Sequence, residues 1–225
     1  MDIHYTNALR VAHRILRKIK IALASPLLSG KLMLAKCGVS QLTKVVIENE
    51  VFYEYKGTLY PDYLTKGNAC GYITSEAKQF CTGKGIDVGA SIWPLEGAIP
   101  VVSEKHQNAY LLGAFADDSL DYVFSSHCLE HLTRWKQALR LWISKLKPGG
   151  ILFLYLPHES MLLWRPGGLW CGLEHKWSPN YERIATVLRA SGMEIVTYNA
   201  GRDGFWSFHV VARKGQSNSI CASMA

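Results

Sequence analysis

Residues 85–93 read GIDVGASIW, a short apolar run that ends in one glycine and then in residues with side chains. Such a run has the form of a buried strand entering a loop, and in an open α/β sheet ligands bind beyond the carboxyl ends of the strands. A dinucleotide loop needs three glycines, because a pyrophosphate must come close to backbone N–H groups at a helix start. Here the second and third would fall on Ser91 and near Leu95, whose side chains stand in the way. No GKS or GKT ending of a Walker loop occurs anywhere in the chain. The stretch therefore favours a sheet with a cofactor loop and disfavours NAD and ATP.

Outward from this strand the pattern alternates. Apolar runs at 99–103, 120–125, 151–156, 194–198 and 206–212 predict strands, and helical patterns lie between several of them. This predicts an α/β fold, a mostly parallel sheet with helices on both faces. The last two strands are joined by NAGRDGF, short enough for a C-terminal antiparallel hairpin. Leu132, Trp135, Leu139, Trp142 and Leu146 recur at spacings of three and four, which predicts a helix over 129–146 that KPGG, residues 147–150, ends. SPNYERIATVLRASG predicts another, with Ser178 as cap, Pro179 in the first position and Gly192 as stop. A short helix over 74–80 precedes GIDVG. Residues 51–71, rich in Tyr and Gly and without sustained period, read as irregular.

The 225 residues carry a formal charge of +7, and its location matters. Residues 1–50 hold eight Lys or Arg against Asp2, Glu48 and Glu50, so most of the excess sits in an N-terminal arm. The near-neutral remainder argues against a nucleic-acid face. The division expected is a basic helical arm with an irregular segment over 1–70, a domain over 71–215 and a disordered tail over 216–225. Six dispersed cysteines without a C-x-x-C pair indicate neither a zinc knuckle nor a disulfide framework, and point to a reducing, cytoplasmic setting. The arm, with Ile15, Leu16, Ile19 and Ile21 among its basic residues, could also touch the inner face of an anionic membrane.

A ligand without phosphates relaxes the demand for glycines. S-adenosylmethionine needs one tight approach, at Gly89, and acidic groups for its hydroxyl and ammonium hydrogens; Asp87 is placed to orient the loop or reach the ammonium end. Three further segments, ADDSLDYVFSSHCLEHL (116–132), LKPGGILFLYLPH (146–158) and SPNYERIATVLRASGMEIV (178–196), together with GIDVGAS, give a chain that resembles the class I S-adenosylmethionine-dependent methyltransferases, the small-molecule branch called type 11. The likeness covers roughly residues 75–213. It implies a Rossmann-like methyltransferase fold, S-adenosylmethionine as cofactor, and a pocket lined by Asp87, Gly89, Ala90, Ser91, Ser126 and His127. The acidic residues such enzymes place after the second strand and near the adenine are displaced or missing, leaving Glu104 for the ribose and Asn108 for the base.

HCLEH, residues 127–131, also matches the H-x-x-E-H pattern of inverted zinc peptidases. That chemistry needs His127 and His131 on one helical face and a third protein ligand. The methyltransferase reading explains the flanking segments, so no metal is expected. Glu130 is expected to brace the nearby loop by hydrogen bonds.

An alcohol acceptor gains from a general base, for which histidine is suited near neutral pH. His175, His127 and His158 are the candidates in that order. The loop over 158–177 has no clear period and offers Trp164, Arg165, Trp170 and Trp177 to a sugar or another small molecule. SSHC stands where a nucleic-acid amino-methyltransferase would carry an Asp/Asn-Pro-Pro-aromatic motif. The expected activity is methyl transfer to an oxygen or other heteroatom of a small molecule or saccharide. A catalytically weak methyltransferase-like binding or scaffold protein is one alternative, and a zinc metallopeptidase acting through HCLEH is the other.

Overall fold

The computed structural model describes residues 42–103 and 107–216, so the basic arm up to residue 41, Glu104, His106 and most of the expected tail lie outside the described residues. The chain divides into two compact units, Met1–Gly67 and Asn68–Ala225.

The first unit contains three antiparallel strands, β1 (Leu42–Ile47), β2 (Glu50–Tyr55) and β3 (Thr58–Pro61), in the order β1-β2-β3. This corrects the irregular reading of residues 51–71. Each hairpin loop has two residues, Glu48-Asn49 and Lys56-Gly57, all four at positive φ. Such turns match the twist of the flanking strands, which explains why a Lys-Gly pair suffices to reverse the chain.

In the second unit, α1 (Ala69–Phe80) leads into β4 (Gly85–Val88), followed by β5 (Ile99–Val101), β6 (Leu120–Ser126), α2 (Trp135–Lys145), β7 (Leu146–Pro157), α3 (Tyr181–Ala190), β8 (Met193–Asn199) and β9 (Ser207–Lys214). α1 starts five residues before the expected Thr74, capped by the Asn68 side chain, which accepts from the Gly71 N–H. The sheet order is β5-β4-β6-β7-β9-β8; the first four strands are parallel, and β9 runs antiparallel to both neighbours. All four residues of β4 are buried, as expected of a strand covered on both faces.

One face, with Ile86, Val88, Val123, Leu152, Leu154 and Val210, packs against Leu139 and Trp142 of α2 and Ile184 and Leu188 of α3. The other carries Phe124 and Phe153, with Phe80 of α1 against Phe153 at 6.3 Å between ring centroids. Helices thus lie on both faces, as the alternation predicts. Burying a side chain of this size contributes roughly 1.5–3 kcal/mol each.

Three boundaries move. The helix expected over 129–146 is broken: a 3-10 turn, Leu129–His131, precedes α2. KPGG does not end a helix before the sheet but lies inside β7, opposite the slip in register between Leu120 and Tyr122, where a proline without an N–H is tolerated. The cap of α3 is Asn180, whose side chain accepts from the Arg183 N–H, and not Ser178.

Candidate active site

Consecutive strands β4 and β5 pair, whereas β6 lies on the opposite side of β4, so the chain reverses its winding at β4. Crevices form at such a reversal, beyond the carboxyl ends of the strands. Asp87 sits there, 1% exposed. Its Oδ2 accepts the Leu95 N–H at 2.8 Å, folding residues 89–95 back toward the strand end, while Oδ1 accepts no hydrogen bond. Burial pushes this carboxyl up to about 7 against the opposing pull of the Leu95 amide.

Gly89 has φ 87° and donates its N–H to Val101 O at 2.9 Å. A Cβ here would stand 2.5 Å from Cys128 Cβ. The glycine is therefore demanded by backbone conformation and by Cys128, which replaces the expectation that cofactor approach alone requires it. Ala90 is buried and Ser91 exposed at φ 51°.

At the end of β6, Ser125 Oγ donates to Val88 O at 2.8 Å, which ties this strand to β4. Ser126 Oγ is buried without a hydrogen-bond partner. His127 follows at φ 48°, left-handed for a non-glycine residue, a conformation that costs roughly 1–3 kcal/mol and persists where the surroundings impose it. Those surroundings are explicit. Its N–H donates to Tyr155 O at 2.8 Å, its Nε2 lies 2.8 Å from Ser207 Oγ, and its ring packs on Tyr155, Trp164 and Phe205. Asp203 positions this partner group by accepting from the N–H groups of Phe205 and Ser207 and from the Tyr155 hydroxyl.

Glu130 is fully buried, and neither of its carboxylate oxygens has a hydrogen-bond partner. This overturns the bracing role expected of its side chain; its backbone carbonyl does that instead, accepting the Lys176 N–H at 2.8 Å. Around Oε1 stand His127 Nδ1 at 3.6 Å, His131 Nε2 at 3.8 Å and His175 Nε2 at 3.8 Å. Burial pushes Glu130 up to about 8. His127 is driven down to about 3 and His175 to about 4, first by burial and then by neighbouring imidazole charge. Cys128, between the two halves of the site, is pushed up to about 12 by burial and by the charges of Glu130 and Asp87, so it is no thiolate nucleophile.

The other expected site residues separate from this centre. His158, after β7, has Nδ1 2.8 Å from Ser160 Oγ and Nε2 3.2 Å from Ala200 O, so both ring nitrogens are engaged. His175 is not at an open loop mouth; it is buried, edge-on to His131 at 4.6 Å. Trp177 is core: it stacks on Trp135 at 4.1 Å and donates its indole N–H to Leu129 O, which removes it from the substrate side. Arg165 is exposed and donates twice to Glu159 O within its own loop. Trp164 lines the His127 side of the site, and Trp170 is half-buried on the same loop. Asn108 closes a tight turn with Leu111 and its Oδ1 accepts the Tyr110 N–H, so that oxygen is committed locally. Sequence reasoning missed Ser207 as the partner of His127; a serine at the start of a C-terminal strand carries no local signal.

A family model described as a methyltransferase domain matches residues 71–154, from α1 into β7. The matched stretch, little more than a third of the chain, is similar to a methyltransferase domain. Solved methyltransferase structures share the fold of the sheet. An S-adenosylmethionine dependent methyltransferase from Mesorhizobium loti is 15% identical, with a TM-score of 0.52 over 67% of this chain and 100% of the other. A chain of the complex formed by the Haloferax volcanii Trm112 methyltransferase activator with a methyltransferase is 13% identical, with a TM-score of 0.50 over 69% of this chain and 95% of that one. No curated protein matches the chain by sequence.

The residues of this site fit S-adenosylmethionine, the cofactor that the resemblance to methyltransferases implies. Asp87 Oδ1 and Ser126 Oγ are buried oxygens, without hydrogen-bond partners, at the ends of two paired strands. The ammonium and ribose hydroxyls of the cofactor carry the hydrogens such acceptors need.

Proposed function

We propose that this protein is an S-adenosylmethionine-dependent methyltransferase that transfers the methyl group to an oxygen of a small molecule or saccharide. The observation that supports this reading is the Glu130 carboxylate with three histidine nitrogens about it, directly behind the loop that packs on Gly89. When bound, S-adenosylmethionine supplies the methyl: its S–CH3 bond breaks with the electron pair left on sulfur, and a bond forms to the acceptor oxygen. The acceptor hydroxyl must lose its proton in that step. His175, held neutral by burial, receives it, and Glu130 beside it would stabilise the resulting imidazolium in its ionised form. Asp87 and the 89–95 loop hold the donor end, and Trp164 with Trp170 forms the apolar side of the acceptor space. His158 is too occupied to serve as base. The near-neutral charge outside the basic arm supports a small acceptor over a nucleic acid. No helix among the described residues is long and apolar enough to cross a membrane; a cytoplasmic enzyme whose basic arm contacts an anionic surface remains our reading of the charge distribution.

The test is calorimetric titration with S-adenosylmethionine, followed by a screen of nucleotide sugars, saccharides and small phenols with labelled methyl donor. Labelled product with an oxygen acceptor is the expected result. Methylation restricted to nitrogen acceptors, or to nucleic acid, overturns the acceptor class.

A further inference from the structure

A metal at HCLEH needs a third protein ligand, and none is expected from the sequence because the methyltransferase resemblance explains the flanking segments. The fold supplies one. His175, on the loop after β7, brings its ring against His131, and one ligand atom from each of Glu130, His131 and His175 lies within 4.8 Å of the other two. We propose that Glu130, His131 and His175 bind a divalent transition-metal cation, zinc first among them.

Three observations carry the assignment. The Glu130 carboxyl is fully buried and neither oxygen has a hydrogen-bond partner, a costly state for a polar group that a cation taking the place of its proton would relieve. The imidazole nitrogens stand 3.6–3.8 Å from Oε1, beyond hydrogen-bond length. A tetrahedral ion with bonds of about 2.0–2.2 Å sets its ligand atoms roughly 3.3–3.6 Å apart, so the two 3.8 Å distances from Glu130 to His131 and His175 need only a small contraction, and the trio as a whole closes from within 4.8 Å. Finally, His131 Nδ1 lies 3.2 Å from Glu174 O. A carbonyl only accepts, so Nδ1 carries the hydrogen and Nε2 presents its lone pair toward Glu130, the arrangement by which metal-ligating histidines are oriented.

Two imidazoles with one carboxylate suit zinc and its transition-metal neighbours; magnesium and calcium prefer oxygen alone. His127 stands outside the trio: its Nδ1 faces the same carboxylate, and Ser207 holds its Nε2. The arrangement differs from a peptidase, in which the two histidines of HCLEH would share a helix; here His127 precedes a 3-10 turn at positive φ. His131, whose side chain is 38% exposed, leaves the site an approach from solvent. An ion with three protein ligands keeps a position for an acceptor oxygen, which it would polarise. With the ion bound, Glu130 and His175 are ligands, and polarisation of the acceptor oxygen would replace proton removal by His175; that use rests on the acceptor reading above, and the binding site does not.

The experiment uses the full chain without an affinity tag, stripped with a chelator and titrated with zinc chloride by calorimetry, and in parallel with cobalt followed by visible absorption. One ion per chain is expected, with a cobalt spectrum of a low-coordinate site. Glu130→Gln, which preserves volume, and His175→Ala should each weaken binding by at least about 100-fold, since loss of an orienting partner alone costs 10–100-fold. His158→Ala should bind as wild type. Thermal melts of each variant separate loss of a ligand from loss of fold, and His131→Ala provides an independent arm should one variant fail to fold. Failure to take up an ion, or unchanged affinity in Glu130→Gln and His175→Ala, overturns the site. S-adenosylmethionine titrated into the same samples separates the two readings: cofactor binding without ion uptake sinks the metal alone, and ion uptake without cofactor binding sinks the cofactor pocket alone.

Discussion

β6 and β7 are neighbouring parallel strands that end at the same edge of the sheet, and a histidine follows each. After β7, His158 closes on its own surroundings: Ser160 takes one ring nitrogen and the Ala200 carbonyl the other. After β6, His127 opens onto a carboxylate to which no group donates. Residue type and strand position are the same at both exits. What separates them is whether local partners have already satisfied the polar atoms, and a buried polar atom left over is the costly state that a ligand can relieve.

The largest effect expected from this contrast is on turnover. His175→Ala and Glu130→Gln should each lower kcat by roughly 10²–10⁴-fold on an oxygen acceptor, with cofactor affinity within a few-fold, because the lost interaction belongs to proton removal. His158→Ala should stay within a few-fold of wild type. Steady-state kinetics on the three variants decide it, and equal losses at both exits would erase the distinction.

The contrast also depends on the loop that backs the β6 exit. Gly89→Ala should destabilise the fold by about 2–4 kcal/mol, part from φ 87° and part from contact with Cys128. Denaturant melts should show Cys128→Gly recovering only the contact part in the double variant. Full recovery would mean that backbone strain contributes nothing.

Asp87 offers a pH test on the cofactor side. Its folded pKa, about 7, lies above the ordinary 3.8, so the folded state holds the proton between the two values. Stability from this group is complete below about 4 and is lost as pH rises through 7. Asp87→Asn does not titrate and still accepts the Leu95 N–H. Its stability relative to wild type should therefore rise between pH 4 and 8, by on the order of a few kcal/mol. A flat difference curve would place the orphaned oxygen in contact with water.

The smallest effect is at Trp177. Trp177→Phe removes the indole N–H to Leu129 O and should cost about 1 kcal/mol in a thermal melt while leaving the KM for the acceptor unchanged. A raised KM would return this residue to the substrate side.

How much of this the sequence reveals depends on the range of the interaction. β4, β6, β7 and β9 are short apolar runs, and the α2 stripe from Trp135 to Trp142 shows its period directly, so these elements are legible. β1–β3 are not, because their two-residue loops use Glu48-Asn49 and Lys56-Gly57, only the second of which carries a glycine. Ser178 and Pro179 imitate a helix start, yet the side chain that reaches a backbone N–H is two residues on, at Asn180. At the site, HCLEH is visible as a pattern, whereas the approach of His175 comes from a loop without period. Trp177 fails for the same reason: nothing local separates a tryptophan that stacks in the core from one that waits for a ligand.

One feature of the sheet bears on the birth of the molecule. Among the described strands, β8 pairs only with β9, and β9 follows it in sequence while lying between it and β7. On the ribosome, the strand that emerges first has no edge to join until the next has left the exit tunnel. α1 through β7 can assemble as they appear, but their last paired edge stays bare until residue 214 has been translated and released. During that interval β7 exposes backbone groups to any passing strand, so the nascent chain is most vulnerable to misassembly just before synthesis of the domain is complete.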